Sequence, residues 1–346
     1  MSNRVKCAIC GTESHHLGEH LREEHGMTVS EYLRTYPTSS VMSESLKKRL
    51  DKTRKHRRAH PPTLAELKTP FAGLNLPLNL DVPLESCLSN PDAYRAPTFG
   101  TLGGKVRDAV MAIASGLHTY IHGVPGTGKD ALVHAYCAAT RTPSEIFQVQ
   151  PDTDIESWFF TQGINKEGDF WREGLLLKML RDGYTSPSGR KIPYLILISD
   201  FDRADRSQAE ALRLVMDSIK GRIMGPSGKV FSVFPGTVIV ATANSAGTGD
   251  ERGMCISSNP IDSSILDRFQ AGVKFSPMDW RDEVKICEEK FPLLHAKFPE
   301  LLTNVGRATS AIRKEIEEGK IYAEFSHRGV CNWLASCNAI LRFEPK

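Results

Sequence analysis

The sequence predicts an α/β protein whose doubly wound parallel sheet follows a small Cys/His module. Three observations predict it. The apolar runs Tyr194-Leu-Ile-Leu-Ile-Ser199 and Thr237-Val-Ile-Val-Ala-Thr-Ala243 read as strands buried on both faces. Helical patterns alternate with them, and the polar residues Asp200, Asp202 and Asn244 gather at or just beyond their C-terminal ends. A third run, Tyr120-Ile-His-Gly-Val-Pro-Gly-Thr-Gly-Lys-Asp-Ala-Leu132, passes from a strand through glycines into a helix.

That third run organises the chain. Gly123, Gly126 and Gly128 let the backbone bend tightly enough for successive N–H groups to face phosphate oxygens, and the helix beginning near Lys129 adds the positive end of its dipole. The candidate nucleotide-binding residues are therefore Gly123, Val124, Pro125, Gly126, Thr127, Gly128, Lys129, Asp130 and Ala131, with Lys129 reaching the β- and γ-phosphates. The Gly-x4-Gly-Lys pattern is complete. Asp130, however, stands where a Ser or Thr ordinarily offers its hydroxyl to Mg²⁺.

A chain of 346 residues accommodates two domains, or one large α/β domain with appendages. Its 40% hydrophobic and 25% charged residues are ordinary for a soluble protein. With no apolar run of about 18 residues and no charged-then-apolar leader, a cytoplasmic protein without a membrane span is expected. The eight cysteines are scattered rather than dense, which argues against a disulfide-stapled secreted domain, and only Cys7 and Cys10 have ligand spacing. Formal net charge is +3, yet residues 47–60 alone hold eight Lys/Arg against one Asp, so the remainder of the chain is net acidic. Such a local basic run suits phosphate contacts with DNA, which would make binding steeply salt-dependent, and equally suits a solvated tether.

From the N-terminus, Cys7-x2-Cys10-x9-His20-x4-His25 offers two thiolates and two imidazoles, the set for a closed, structural Zn²⁺ site. A helix over Leu17–His25 presents both histidines near one face, and His15 and His16 are spare ligand candidates. Together with Gly26-Met-Thr-Val-Ser-Glu-Tyr-Leu33, the segment resembles the Ros/MucR type of bacterial C2H2 zinc finger. That family binds DNA; a small zinc module can also hold a protein partner.

From Pro61 to Pro97 the chain is rich in Pro, Leu and Asn without a sustained period, which predicts a linker packed along the next domain. A helix over Gly103–Leu117, the phosphate strand, a helix to Thr140 and a strand over Glu145–Gln150 follow. Thr153–Asp182 carries Trp158, Phe159, Phe160, Phe170 and Trp171 around a polar turn, predicting a hairpin before a helix over Glu173–Arg181. These aromatics fit packing against the sheet. A fifth strand is predicted around Val273–Phe275, after Ile261-Asp-Ser-Ser-Ile-Leu-Asp-Arg-Phe269.

The ordered motifs Gly-Val-Pro-Gly-Thr-Gly-Lys-Asp130, Ser199-Asp-Phe-Asp-Arg-Ala204, Ala-Thr-Ala-Asn244, Gly-Thr-Gly-Asp250, Leu-Asp-Arg268-Phe and Phe-Ser-His-Arg328 resemble an AAA+ ATPase of the MoxR group. Within it the likeness is to the ATPase subunit of cobalt chelatase. The resemblance spans roughly Pro70 to the C-terminus and divides the chain into a finger (1–40), a basic segment and linker (41–95), an AAA+ core (96–278) and a helical lid (279–346). It implies that Asn244 orients the attacking water, that Arg268 is an arginine finger reaching a neighbouring subunit's γ-phosphate, and that Arg328 is the lid arginine. An arginine finger in trans implies a homo-oligomer, a hexameric ring in this family. The resemblance also implies a partner with a von Willebrand-type metal-binding domain, and an insertion facing a central pore in which Phe170 and Trp171 would grip a substrate chain. The family's Asp-Glu after the third strand is replaced here by Ser199-Asp200. We read this with Asp130 as an exchange of Mg²⁺ ligands: Asp130 supplies the carboxylate, Ser199 the hydroxyl, and Asp200 occupies the base position.

The function expected from the sequence is a Mg²⁺- and ATP-dependent remodelling motor recruited by a zinc finger. A cobalt-chelatase-type motor subunit and an ATP-binding DNA regulator or scaffold are the alternatives.

Overall fold

The computed structural model describes residues 4–14, 17–45, 71, 74, 76–87, 104–165, 168–213, 215–217, 221–226, 228–249, 258–323 and 325–343. The chain forms two compact units, Met1–Thr63 and Leu64–Lys346. His15, His16, residues 47–60, Asp250 and most of the predicted linker lie outside the described residues.

In the first unit β1 (Val5–Lys6) and β2 (Glu13–Ser14) form an antiparallel hairpin, followed by α1 (Gly18–His25) and α2 (Val29–Thr35). Gly26 ends α1 in the left-handed conformation, at φ 61°. A capping box starts α2: Thr28 accepts from Glu31 N while the Glu31 carboxylate accepts from Thr28 N. Cys7, Leu17, Leu21 and Tyr32 form the small core, and the Tyr32 hydroxyl accepts from Ala8 N at 2.8 Å, tying α2 to the Cys7–Cys10 turn.

The second unit begins with α3 (Gly104–Ala114), β3 (Thr119–Gly123), α4 (Lys129–Thr140) and β4 (Ser144–Gln148). A hairpin of β5 (Phe160–Asn165) and β6 (Gly168–Glu173) leads to α5 (Leu175–Asp182), then a short pair β7 (Tyr184–Thr185) and β8 (Lys191–Ile192). Next come β9 (Leu195–Ser199), α6 (Arg206–Arg213), the pair β10 (Arg222–Met224) and β11 (Val230–Ser232), β12 (Val238–Ala243), α7 (Ser263–Leu266) and β13 (Ala271–Phe275). The helices α8 (Trp280–Lys290), α9 (Pro292–Lys297), α10 (Pro299–Glu317) and α11 (His327–Phe343) complete the unit.

The main sheet is parallel throughout, in the order β13-β3-β12-β9-β4. Successive side chains on a strand face opposite sides, and the burial follows that rule. Ile121, Leu195, Leu197, Val238 and Val240 join Val110, Ile113 and Leu132 of α3 and α4, whereas Ile196, Ile198, Ile239 and Ala241 join Leu177 and Leu180 of α5 and Leu212 of α6. Each fully buried aliphatic side chain contributes about 1.5–3 kcal/mol, so this double-sided burial fixes the sheet. The chain continues from β3 to β4 at the far edge, which opens a crevice beyond the C-terminal end of β3.

The structure corrects the expected segment 153–182 in one respect. Helix α5 starts at Leu175, because Glu173 is still a rung of the hairpin opposite Phe160. The aromatics divide: Phe159 is buried and Trp158 and Phe160 pack against the core, but Trp171 is 51% exposed. The pairs β7–β8 and β10–β11, two or three residues per strand, are too short to leave a periodic signal. Around Val284, Leu294, Leu302, Val330 and Leu334 the four C-terminal helices build their own core. Among the described residues, no helix is long and apolar enough to cross a membrane.

Candidate functional site

At the tip of β3 the backbone requires glycine twice. A side chain on Gly123 would strike the Phe275 carbonyl of β13, and one on Gly126, at φ 75°, would come within 2.6 Å of Ser326 Cβ. Gly128 then caps α4 in the left-handed conformation, and the first-turn N–H groups of that helix have no intrahelical acceptor. Such a loop and helix start make an anion cradle. The Lys129 ammonium is folded into it, donating to Gly123 O at 2.8 Å, Val124 O at 3.2 Å and Asn244 Oδ1 at 3.2 Å. Two residues proposed for the chemistry, 115 positions apart, therefore meet.

Asp130 is held from two strands. One carboxylate oxygen accepts from Ser199 Oγ at 2.7 Å and the other from Thr242 Oγ1 at 2.6 Å. Asp200 follows in the left-handed region, at φ 56°, a strained conformation for a residue with a side chain. Its Oδ2 lies 3.4 Å from Gln148 Nε2 and 3.8 Å from Arg203 Nε. Asp202 is wholly buried, and its Oδ2 accepts from Asn244 N at 3.0 Å, Ser245 N at 3.1 Å and Ser258 Oγ at 2.6 Å. It fixes the turn that presents Asn244.

The loop opens on a cleft of about 560 Å³, bounded by residues 122–127, Asn244 at the tip of β12, residues 274–278 at and beyond the end of β13, and the helical segment bearing Arg313 and His327. The helical side is built on Glu283, 1% exposed. Its carboxylate accepts from Arg313 Nη1 and Nη2 at 2.8 and 2.9 Å and lies 2.9 Å from His327 Nδ1. Burial pushes the Glu283 carboxyl up, but the hydrogen bonds and charges of His327 and Arg313 outweigh it and hold the group below the usual glutamate range. Ser326 caps α11, accepting from Gly329 N at 3.2 Å, and packs on Gly126.

Two arginines singled out in the sequence lie outside the lining of this cleft. Arg328 is exposed at the start of α11, whereas Arg313 does line the cleft. Arg268 contacts the Ser264 carbonyl of its own turn, and among the described residues its buried Nε has no hydrogen-bond partner. Thr242, Arg313 and Glu283 are site residues that the sequence does not point to, and Asp202, noted at the strand end, is given no role by it. Its signal is its place as the second acid of Asp200-Phe-Asp202.

In the N-terminal unit Cys7, Cys10, His20 and His25 bring four ligand atoms together. Cys10 Sγ lies 3.1 Å from His20 Nε2, Cys7 Sγ lies 3.7 Å from His25 Nε2, and His25 Nε2 lies 3.4 Å from Cys10 Sγ and 3.2 Å from His20 Nε2. Tetrahedral Zn²⁺ with sulfur at about 2.3 Å and nitrogen at about 2.0–2.1 Å sets edges of roughly 3.3–3.8 Å; two of these spacings fall in that range and two just below it, so a small opening of the donor set seats that ion. Hydrogen bonds from the Thr12 side chain and backbone draw the Cys10 thiol down to about 6, favouring the thiolate.

A parallel sheet in this order, with a Gly-x4-Gly-Lys loop between an inner strand and a helix and a helical bundle against the loop, defines a P-loop α/β fold of the AAA+ type. Comparison with known proteins agrees: residues 118–269 match the AAA domain family of the dynein-related subfamily. The chain is similar to aerobic cobaltochelatase subunit CobS of Sinorhizobium sp, at 21% identity over 232 residues covering 66% of this chain and 68% of that protein. Among solved structures it matches an assumed ATPase from Cytophaga hutchinsonii, at 18% identity, 52% and 47% coverage of the two chains and a TM-score of 0.36. It also matches a proline-to-glycine variant of RuvB from Thermotoga maritima, at 14% identity, 56% and 50% coverage and a TM-score of 0.35. The chain spans about half the length of these two structures.

Proposed function

We infer that the chain is an ATP hydrolase that uses Mg²⁺, works as a homo-oligomeric ring, hexameric in the simplest case, and remodels a partner protein. The observation that carries this reading is the convergence of Lys129, Asn244 and the Ser199–Asp130–Thr242 set around one phosphate-binding turn. Lys129 holds the β- and γ-phosphates. Asp130 and Ser199 provide the carboxylate and the hydroxyl for Mg²⁺, in exchanged positions, and the ion when bound neutralises charge on the γ-phosphoryl oxygens. Asp200 takes the proton of the attacking water, and Asn244 orients that water. Arg268, outside its own cleft, serves a neighbouring subunit, and Arg328 closes from the lid.

Cys7, Cys10, His20 and His25 hold a structural Zn²⁺ in the N-terminal unit, which recruits the partner; a protein with a von Willebrand-type metal-binding domain is the candidate. Calorimetry with Mg-ATP, followed by steady-state phosphate release, tests the core of the reading. Absence of any binding heat would end the motor, the ring and the exchanged ligands together.

The similarity to CobS favours a second reading, a cobalt-chelatase-type motor subunit serving Co²⁺ insertion into a corrin precursor. The basic run at 47–60 favours a third, a DNA-bound regulator in which ATP sets assembly state. Gel shift on random DNA, with and without Cys7→Ser, separates the third from the first.

A further inference from the structure

The helical bundle holds a second group of soft ligands, whose two thiols nothing above uses. Cys287 lies on α8, and His327 and Cys331 lie four residues apart on α11, a spacing that puts both on one face. One ligand atom from each comes within 4.8 Å of the other two, and His327 Nε2 is 3.3 Å from Cys331 Sγ. Cys287 and Cys331 are buried, at 3% and 5% exposure.

The imidazole is oriented for this role. Because Glu283 receives both Arg313 nitrogens, it is an ionised carboxylate and can only accept from His327 Nδ1. That leaves Nε2 as the atom aimed at the sulfurs. A carboxylate on the far nitrogen of a ligating histidine is the usual device for fixing ring and tautomer at a metal. The charges also balance, since two thiolates match a divalent cation while Arg313 matches Glu283.

We propose that Cys287, His327 and Cys331 bind Zn²⁺, or another thiophilic divalent ion of that class, with water in the fourth position. His327 lines the cleft, which gives the ion a way in. The site joins α8 to the start of α11, where Ser326 packs on Gly126, so the metal anchors the very turn that abuts the phosphate loop. The inference does not depend on the ATPase reading.

The test is zinc content per full-length chain after equilibration with Zn²⁺ and desalting, read by elemental analysis and native mass spectrometry. The chain with Cys287→Ala and Cys331→Ala should carry one zinc fewer than the parent, and the chain with Cys7→Ser and Cys10→Ser should still retain one. In that second background Co²⁺ should produce thiolate-to-metal charge-transfer absorption that is lost on adding His327→Ala, a readout independent of how well the alanine pair folds. Equal zinc content in the parent and the alanine pair overturns the proposal. So does a metal-free parent two hydrogens lighter through a Cys287–Cys331 disulfide.

Discussion

Asp130 on the phosphate loop and Ser199 at the tip of β9 share a hydrogen bond of 2.7 Å, and Thr242 at the tip of β12 holds the other oxygen of the same carboxylate. The carboxylate and the hydroxyl that a Mg²⁺ ion would need are thus already neighbours, each arriving from the element where the other is expected. Replacing Asp130 by Ser should reduce phosphate release by about a hundredfold, the scale of one lost transition-state contact. Adding Ser199→Asp should restore most of it. Equal loss in the single and double variants would rule out the exchange.

Lys129 and Asn244 should separate binding from chemistry. Lys129→Ala removes the ammonium that the loop gathers and should abolish the calorimetric signal with Mg-ATP. Asn244→Ala should leave that signal and slow turnover by about a hundredfold. A parallel loss of affinity in both would assign Asn244 to binding.

If Arg268 acts between subunits, Arg268→Ala should cost on the order of a thousandfold or more in turnover. Mixing it with Lys129→Ala should then recover activity, because an intact loop from one chain meets an intact arginine from the other. An additive mixture with no recovery would place Arg268 outside the reaction.

Glu283 is the buried hub of the helical bundle, with Arg313 only 13% exposed beside it. Glu283→Gln removes the negative charge but leaves Arg313 in place. Unfolding by urea should show a loss of about 3–5 kcal/mol, the cost of leaving one member of a buried pair alone. A loss below about 1 kcal/mol would show that water reaches the pair.

Chelation should unfold the N-terminal unit. Its core is a handful of side chains around Tyr32, and units of this size draw folding free energy from the metal. Far-ultraviolet circular dichroism should fall on chelation in the parent chain, and the Cys10→Ser chain should begin at the lower value.

What could be read in advance follows from how each feature is encoded. The strands β9 and β12 announce themselves as uninterrupted apolar runs, and the loop does so through glycines at set intervals before a lysine. The candidate N-terminal ligands are equally local, four residues within 19 positions. By contrast, Glu283, Arg313 and His327 come together across 30 and 44 positions, and no periodicity links them. Judging cysteines by pairs hid Cys287, whose partners include a histidine four residues before the second thiol. Thr242 looked like one more residue of a buried strand, and only the fold reveals that its hydroxyl faces Asp130.

The bare Cα at position 126 has a mechanical meaning. It allows the capping turn of α11 to rest directly on the phosphate loop, with no methyl group as a spacer. Alanine there would act as a doorstop, wedging the C-terminal helices ajar while leaving Lys129 and the strand tips untouched. A single carbon thus sets how tightly the two halves of this cleft can shut.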